Sequence, residues 1–94
     1  MKVLLFGAGE NAKKFLSCNP VTKKIEIVGI IDNNEMSWGK TIGEKYIIAA
    51  PKEIETCNWD KIIVTPNNCN EIINQLENEY GVDKEKILKI GDLI

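Results

Sequence analysis

Lys2-Val3-Leu4-Leu5-Phe6-Gly7-Ala8-Gly9-Glu10-Asn11-Ala12 carries a short apolar run directly into a glycine turn, and the fold follows from how that passage is read. An uninterrupted apolar run bounded by glycine suits a strand buried on both faces. After the turn, Ala12, Phe15 and Leu16 recur at helical spacing while Lys13, Lys14 and Ser17 face away, so Glu10 to about Cys18 is expected to be one amphipathic helix, stopped by Asn19-Pro20. A second β-branched run, Ile25 to Ile31, ends at Asp32-Asn33-Asn34, residues that favour turns through side-chain to backbone hydrogen bonds. Strand, helix and strand make a βαβ unit.

Outward from that unit the pattern continues more weakly. Glu35 to Lys45 contains Trp38, Gly39 and Gly43 without a helical period, so the second crossover is expected to be a loop. Tyr46 to Ala49 reads as a short third strand, and Pro51 to about Thr56 as a short helix that begins on proline and turns Ile54 inward. Ile62-Ile63-Val64-Thr65 is a clear fourth strand. Asn68 with Glu71 three residues on resembles a capping pair, Ile72, Ile73, Leu76 and Tyr80 form a buried stripe, and Gly81 is a natural stop. Lys86 to Ile90 supplies a fifth strand.

This alternation predicts an α/β three-layer sandwich around a mainly parallel five-stranded sheet in the order 3-2-1-4-5. The 94 residues are expected to form one domain, residues 1–94. Ligands of such sheets bind beyond the C-terminal strand edges where the winding reverses, here between strands one and four. Two loops face that crevice, Gly7 to Asn11 and Thr65 to Asn68.

In a dinucleotide site the first glycine permits the tight turn, the second lets the backbone approach a pyrophosphate, and a small third residue lets helix and strand pack closely. Gly7, Gly9 and Ala12 meet those needs, and the N–H groups opening the helix would receive the anion. Asp32, 20 residues beyond Ala12, stands where a carboxylate accepts hydrogen bonds from ribose hydroxyls. The candidate cofactor-binding residues are therefore Gly7, Ala8, Gly9, Glu10, Asn11, Asp32, Asn33, Thr65 and Asn67. The same glycines can also serve sterics alone, and Asp32 with two asparagines also makes a solvated turn. Glu10 either compensates the helix dipole or contacts a hydroxyl, because its charge opposes a phosphate. Trp38 either covers the core or a partner, or stacks on a base or sugar; Trp59 is expected to pack against the Pro51 to Thr56 segment. Thr65 and Asn67 either cap their loop or touch the ligand.

Composition narrows the chemistry. Fourteen acidic and twelve basic residues leave a charge of −2 with the lysines scattered, which argues against nucleic acid as a partner. The longest apolar run is far short of the roughly 20 residues of a membrane span, and the N-terminal run is cut off too early for a signal peptide, so the cytoplasm is the expected compartment. Cys18, Cys57 and Cys69 are widely spaced, odd in number and without any histidine, giving neither a zinc site nor a disulfide framework. No histidine is available as a general base, and no Ser, Cys or Lys lies beside an activating partner. Tyr80 and Lys84 have the spacing of a dehydrogenase Tyr-x-x-x-Lys pair, but Gly81 interrupts the helix such a pair requires. No catalytic or metal-ligating residue is assigned.

Taken with Val28-Gly29-Ile30-Ile31-Asp32-Asn33-Asn34, Trp38-Gly39-Lys40 and Asp60-Lys61-Ile62-Ile63-Val64, the glycine turn resembles that of a recurring small Rossmann-like module. Such modules accompany bacterial sugar acetyltransferases, nucleotide-sugar dehydratases and other enzymes of surface-polysaccharide synthesis. The resemblance spans nearly the whole chain. It implies a holder for a nucleotide, NAD(H) or a nucleotide-sugar, through Gly7, Gly9 and Asp32, with a homo-oligomer or a partner glycan enzyme as its context. The acetyltransferases place their chemistry on a following left-handed β-helix with a catalytic histidine, and this sequence has neither. The contrasting expectation is an interaction or oligomerisation domain that uses Trp38 and an exposed third-strand edge, or a fragment of a sugar-nucleotide enzyme.

Overall fold

The computed structural model describes residues 1–17, 25–43 and 45–92. Six strands, β1 (Lys2–Phe6), β2 (Glu26–Ile31), β3 (Thr41–Ile42), β4 (Tyr46–Ala49), β5 (Lys61–Val64) and β6 (Ile87–Lys89), form one sheet in the order β3-β4-β2-β1-β5-β6. Helix α1 (Glu10–Ser17) connects β1 to β2, and α2 (Asn70–Asn78) lies between β5 and β6. All pairings are parallel except β3 with β4. The order anticipated from the sequence is present, with one antiparallel strand added at the edge.

Alternation along β1 builds the layers. Val3 and Leu5 face α1 and pack with Ala12, Phe15 and Ile63, whereas Leu4 and Phe6 pack with Ile62, Val64 and Leu76 on the α2 side. Burying a side chain of this size contributes about 1.5–3 kcal/mol, so β1, covered on both faces, anchors the two cores. β2 cannot serve both faces by plain alternation. The register jumps from Val3 opposite Ile27 to Leu4 opposite Gly29, and this bulge restores the phase so that Ile27 and Ile30 both reach the α1 side and Ile31 the other. Gly29 fits the jump, since a Cβ there would stand 3.0 Å from Leu4 Cδ2.

Four local expectations need correction. The second crossover is not a loop throughout: a 3-10 turn, Glu35–Ser37, precedes β3, and glycines at φ 85° (Gly39) and 63° (Gly43) flank the two-residue strand. β3 pairs Thr41 with Ile47 and Ile42 with Tyr46, so the Tyr46–Ala49 strand is not the free edge proposed as a contact surface. Residues Pro51–Glu55 form a 3-10 turn rather than an α-helix, although proline does open it and Ile54 is buried as anticipated. The capping pair of Asn68 and Glu71 does not form: Cys69 is the N-cap, without a side-chain cap bond. Packing sets that start, because Cys69 is buried in the α2-side core while Asn68 stays in solvent. The expected first-helix stop at Asn19-Pro20, and Cys18, lie outside the described residues.

Helix α2 ends at Asn78 and Gly81 follows at φ 62°, so Tyr80 and Lys84 do not share a helix. Trp59 packs where expected, donating from Nε1 to the Ile54 carbonyl at 3.0 Å. Among the described residues no helix is long and apolar enough to cross a membrane, and no three metal-ligating side chains cluster.

Candidate functional site

The parallel neighbours β2, β1 and β5 end side by side at Ile31, Phe6 and Val64. The turns that leave them meet beyond those ends, and each is held by backbone hydrogen bonds that the sequence pattern does not display.

The glycine turn is fixed from both sides. Gly7 N–H donates to the Ile31 carbonyl at 2.8 Å, and Ala8 N–H donates to Asp32 Oδ2 at 2.8 Å. Gly7 has φ 113°, and a Cβ there would stand 2.4 Å from Thr65 Oγ1 and 2.7 Å from Pro66 Cδ. The first glycine therefore lets the β1 turn and the β5 loop touch, as well as allowing the turn itself. Gly9 differs: a Cβ there would meet nothing within 4 Å, so its backbone borders open space. Ala12 is fully buried under α1 among Val3, Leu5 and Phe15, which is the close packing asked of a small third residue.

Lys13 N–H closes the first helical turn on the Gly9 carbonyl at 3.2 Å. The N–H groups of Glu10, Asn11 and Ala12 therefore precede the first intrahelical bond, and the positive end of the helix dipole lies there. Glu10 is exposed and pairs with exposed Lys13 at 3.5 Å, a contact worth little in stability that offsets part of its charge near the turn.

On the β5 side Thr65 is 1% exposed. Its Oγ1 lies 3.1 Å from the Phe6 carbonyl and 3.0 Å from the Gly7 carbonyl, to which it donates. Asn11 Nδ2 donates to the Thr65 carbonyl at 2.8 Å and to Asn67 Oδ1 at 3.1 Å. These contacts bring Gly9, Glu10, Asn11, Thr65, Pro66 and Asn67 around a cleft of about 270 Å³. A larger hollow of about 590 Å³ borders Leu16, Ile25, Ile27, Gly43 and Tyr46, away from the C-terminal strand ends. Glu26 and Lys45 also line it; the smaller cleft lies at the N-terminus of α1, which makes it the better anion site on chemical grounds.

On the β2 side the Asp32 carboxylate is already engaged, with Oδ2 on Ala8 N–H and Oδ1 on Asn34 N–H at 2.8 Å. Each carboxylate oxygen can accept a second bond, and the residue is half-buried. Trp38 Nε1 donates to the Asp32 carbonyl at 2.7 Å while the ring stays 40% exposed. Asn33 bridges to α2 through two bonds: Asn33 Nδ2 to Gln75 Oε1 at 2.8 Å and Gln75 Nε2 to Asn33 Oδ1 at 2.9 Å.

The nine candidate residues thus sit on the turns that leave β1, β2 and β5, and hydrogen bonds tie Trp38 and Gln75 to the β2 turn. Gln75 left one trace in the sequence, a polar residue three positions after Ile72 at the flank of an apolar stripe. The bond that recruits Trp38 runs to a backbone carbonyl and left none.

A family model described as C2185-like, N-terminal, matches residues 1–88. No curated protein matches the sequence significantly. Among solved structures, UDP-D-quinovosamine 4-dehydrogenase from Vibrio fischeri superposes with a TM-score of 0.69 at 18% identity, over 94% of this chain and 75% of that one. RSP, a Rex-family repressor, superposes with a TM-score of 0.67 at 15% identity, over 94% of this chain and 50% of its own. RSP in complex with β-NADH gives 0.66 at 15% identity, over 94% of this chain and 51% of that one. The chain spans about half the length of the RSP chains. At these identities the likeness is one of fold, and the fold is Rossmann-like.

Proposed function

The chain belongs to the C2185-like, N-terminal family, and we propose that it is a non-catalytic binding module for a nucleotide, either NAD(H) or a nucleotide-sugar. The observation that carries this reading is the open backbone at Gly9, beside the unpaired N–H groups of α1 and facing a cleft at the sheet's switch point. In this reading the pyrophosphate lies on Gly7, Ala8, Gly9, Glu10 and Asn11, with Thr65 and Asn67 forming the far wall. The ribose hydroxyls donate to the free acceptor sites of Asp32, and Asn33 borders the base. Glu10 is turned to Lys13 and meets a hydroxyl rather than a phosphate.

Two similarities support a nucleotide as the ligand class: one neighbour of the same fold is named for a UDP-sugar, and another is described in complex with NADH. RSP is also described with operator DNA. For this chain a net charge of −2 without a basic stripe speaks for small molecules alone. The chain lacks histidine altogether, and its crevice brings together backbone donors, amides and the two hydrogen-bonded carboxylates of Glu10 and Asp32, a set suited to holding a ligand. We place the module in the cytoplasm, as a single domain acting within or beside a surface-glycan enzyme.

Calorimetric titration with NAD, NADH, UDP-sugars and coenzyme A tests the reading. One-to-one binding of NAD(H) or a UDP-sugar is expected. Absence of heat with all of them, from protein whose circular dichroism shows it folded, overturns it.

A second reading, an interaction domain, rests on exposed Met36 (77%), Trp38 (40%) and Ile47 (65%). Sedimentation of wild type against Trp38→Ala separates the two: a monomer in both excludes it.

A further inference from the structure

The reciprocal amide bridge between Asn33 and Gln75 joins the turn after β2 to the middle of α2. Asn33 directly follows Asp32, the carboxylate placed for ribose. With phosphates at Gly9 on one side of that carboxylate, the base of a bound nucleotide extends to the other side, where the turn that carries Asn33 leaves β2 and is tied to α2. Asn33 is exposed and Gln75 half-buried, so the two bonds form at the edge of solvent and exchange with water. In the bridged state, however, the edge of the Asn33 amide at which one N–H stands beside one carbonyl lone pair faces Gln75 rather than outward.

We propose that Gln75 is an occluding residue, a strap across the base end of the crevice that competes with a nucleobase for the Asn33 amide. The inference rests on the nucleotide-binding reading above and deepens it. Of the two N–H donors and two lone pairs of a carboxamide, one of each lie side by side and can pair in two bonds with one partner edge. The complementary ligand edge is a nucleobase with an acceptor beside a donor, as in the N7 and N6 amino group of adenine or the O4 and N3–H of uracil. Binding such a base exchanges the Gln75 amide for the base's own edge at Asn33. Affinity for base-bearing ligands is then lowered by the fraction of molecules that hold the bridge closed, whereas ligands without a base do not meet the strap.

The test compares wild type, Gln75→Ala and Asn33→Ala in titrations with ADP-ribose, UDP and ribose 5-phosphate, with thermal melts as a check on folding. Alanine is a good helix former, so Gln75→Ala keeps α2. For a base-bearing ligand the expected result is about three- to tenfold tighter binding by Gln75→Ala and weaker binding by Asn33→Ala, the scale of one or two net hydrogen bonds. Ribose 5-phosphate should bind wild type and Gln75→Ala equally. If Gln75→Ala binds ADP-ribose and UDP no more tightly than wild type, or tightens ribose 5-phosphate equally, the strap is overturned while nucleotide binding stands. If wild type binds none of the ligands, both inferences fall.

Discussion

The carboxylate of Asp32 holds the backbone of Ala8: Oδ2 accepts from the Ala8 N–H at 2.8 Å across 24 residues of sequence. With its other oxygen on Asn34 N–H at 2.8 Å, Asp32 ties the glycine turn to its own turn and fixes the spacing between the proposed anion and ribose sites. Asp32→Asn is nearly isosteric but turns an N–H2 toward one of the two backbone donors, so one bond is lost and two donors face each other. A loss of about 1.5–3 kcal/mol is expected, the range for hydrogen bonds to a charged group. Urea denaturation measures it, and a midpoint equal to wild type would show that the two bonds do not hold the turn.

The two glycines of the turn should separate stability from binding. Gly7→Ala meets Thr65 Oγ1 at 2.4 Å and Pro66 Cδ at 2.7 Å in a backbone conformation of φ 113°, and about 2–4 kcal/mol of destabilisation is expected from strain and overlap. Gly9→Ala meets nothing within 4 Å, so its melt should stay close to wild type while the added methyl hinders a phosphate at the same backbone. Equal destabilisation by both substitutions, in parallel melts, would contradict this division.

These contrasts show which features the chain displays in its sequence. The apolar runs of β1 and β5 and the turn residues around Gly7 and Asp32 are side-chain signals, and through them the parallel core and the crevice were legible. β3 was not, because two residues have no periodicity and their pairing with Ile47 and Tyr46 is made by backbone. The Asn68 and Glu71 spacing misled because burial of Cys69, a tertiary effect, set the start of α2. Asp32 was read as a ribose ligand, but the direction of its carboxylate toward Ala8 N–H depends on two turns meeting in space. The Gln75 contact with Asn33, 42 residues apart, was hidden for the same reason.

Thr65 offers a test of how the two loops are fastened. Its Oγ1 is the side-chain donor to the Gly7 carbonyl at 3.0 Å, at a site that is 1% exposed. Thr65→Val keeps the shape and removes the hydroxyl, while Thr65 N–H still donates to the Phe6 carbonyl at 3.0 Å. A cost of about 1–3 kcal/mol is expected, because a carbonyl loses its partner in a buried place. A stability within a few tenths of wild type in chemical denaturation would show that water takes the hydroxyl's role.

The two tryptophans supply independent optical reporters, each with its indole N–H on a backbone carbonyl: Trp38 on Asp32 at 2.7 Å and Trp59 on Ile54 at 3.0 Å. Trp38 adjoins the proposed ribose site and is 40% exposed. Trp59 packs beside the Pro51–Glu55 turn, with Lys86 Nζ 5.7 Å from its ring centroid, away from the crevice. A nucleotide that engages Asp32 alters the polarity and hydrogen bonding around Trp38 and leaves Trp59 in place. Titrating Trp59→Phe with ligand should therefore change the emission of the remaining Trp38, while Trp38→Phe, which retains Trp59, should show little response. Phe preserves most of the aromatic packing and removes the N–H donor, at about 0.5–1.5 kcal/mol for one hydrogen bond, so both variants are expected to fold. A response from Trp59 alone would place the ligand at the other side of the sheet and remove Asp32 from the site.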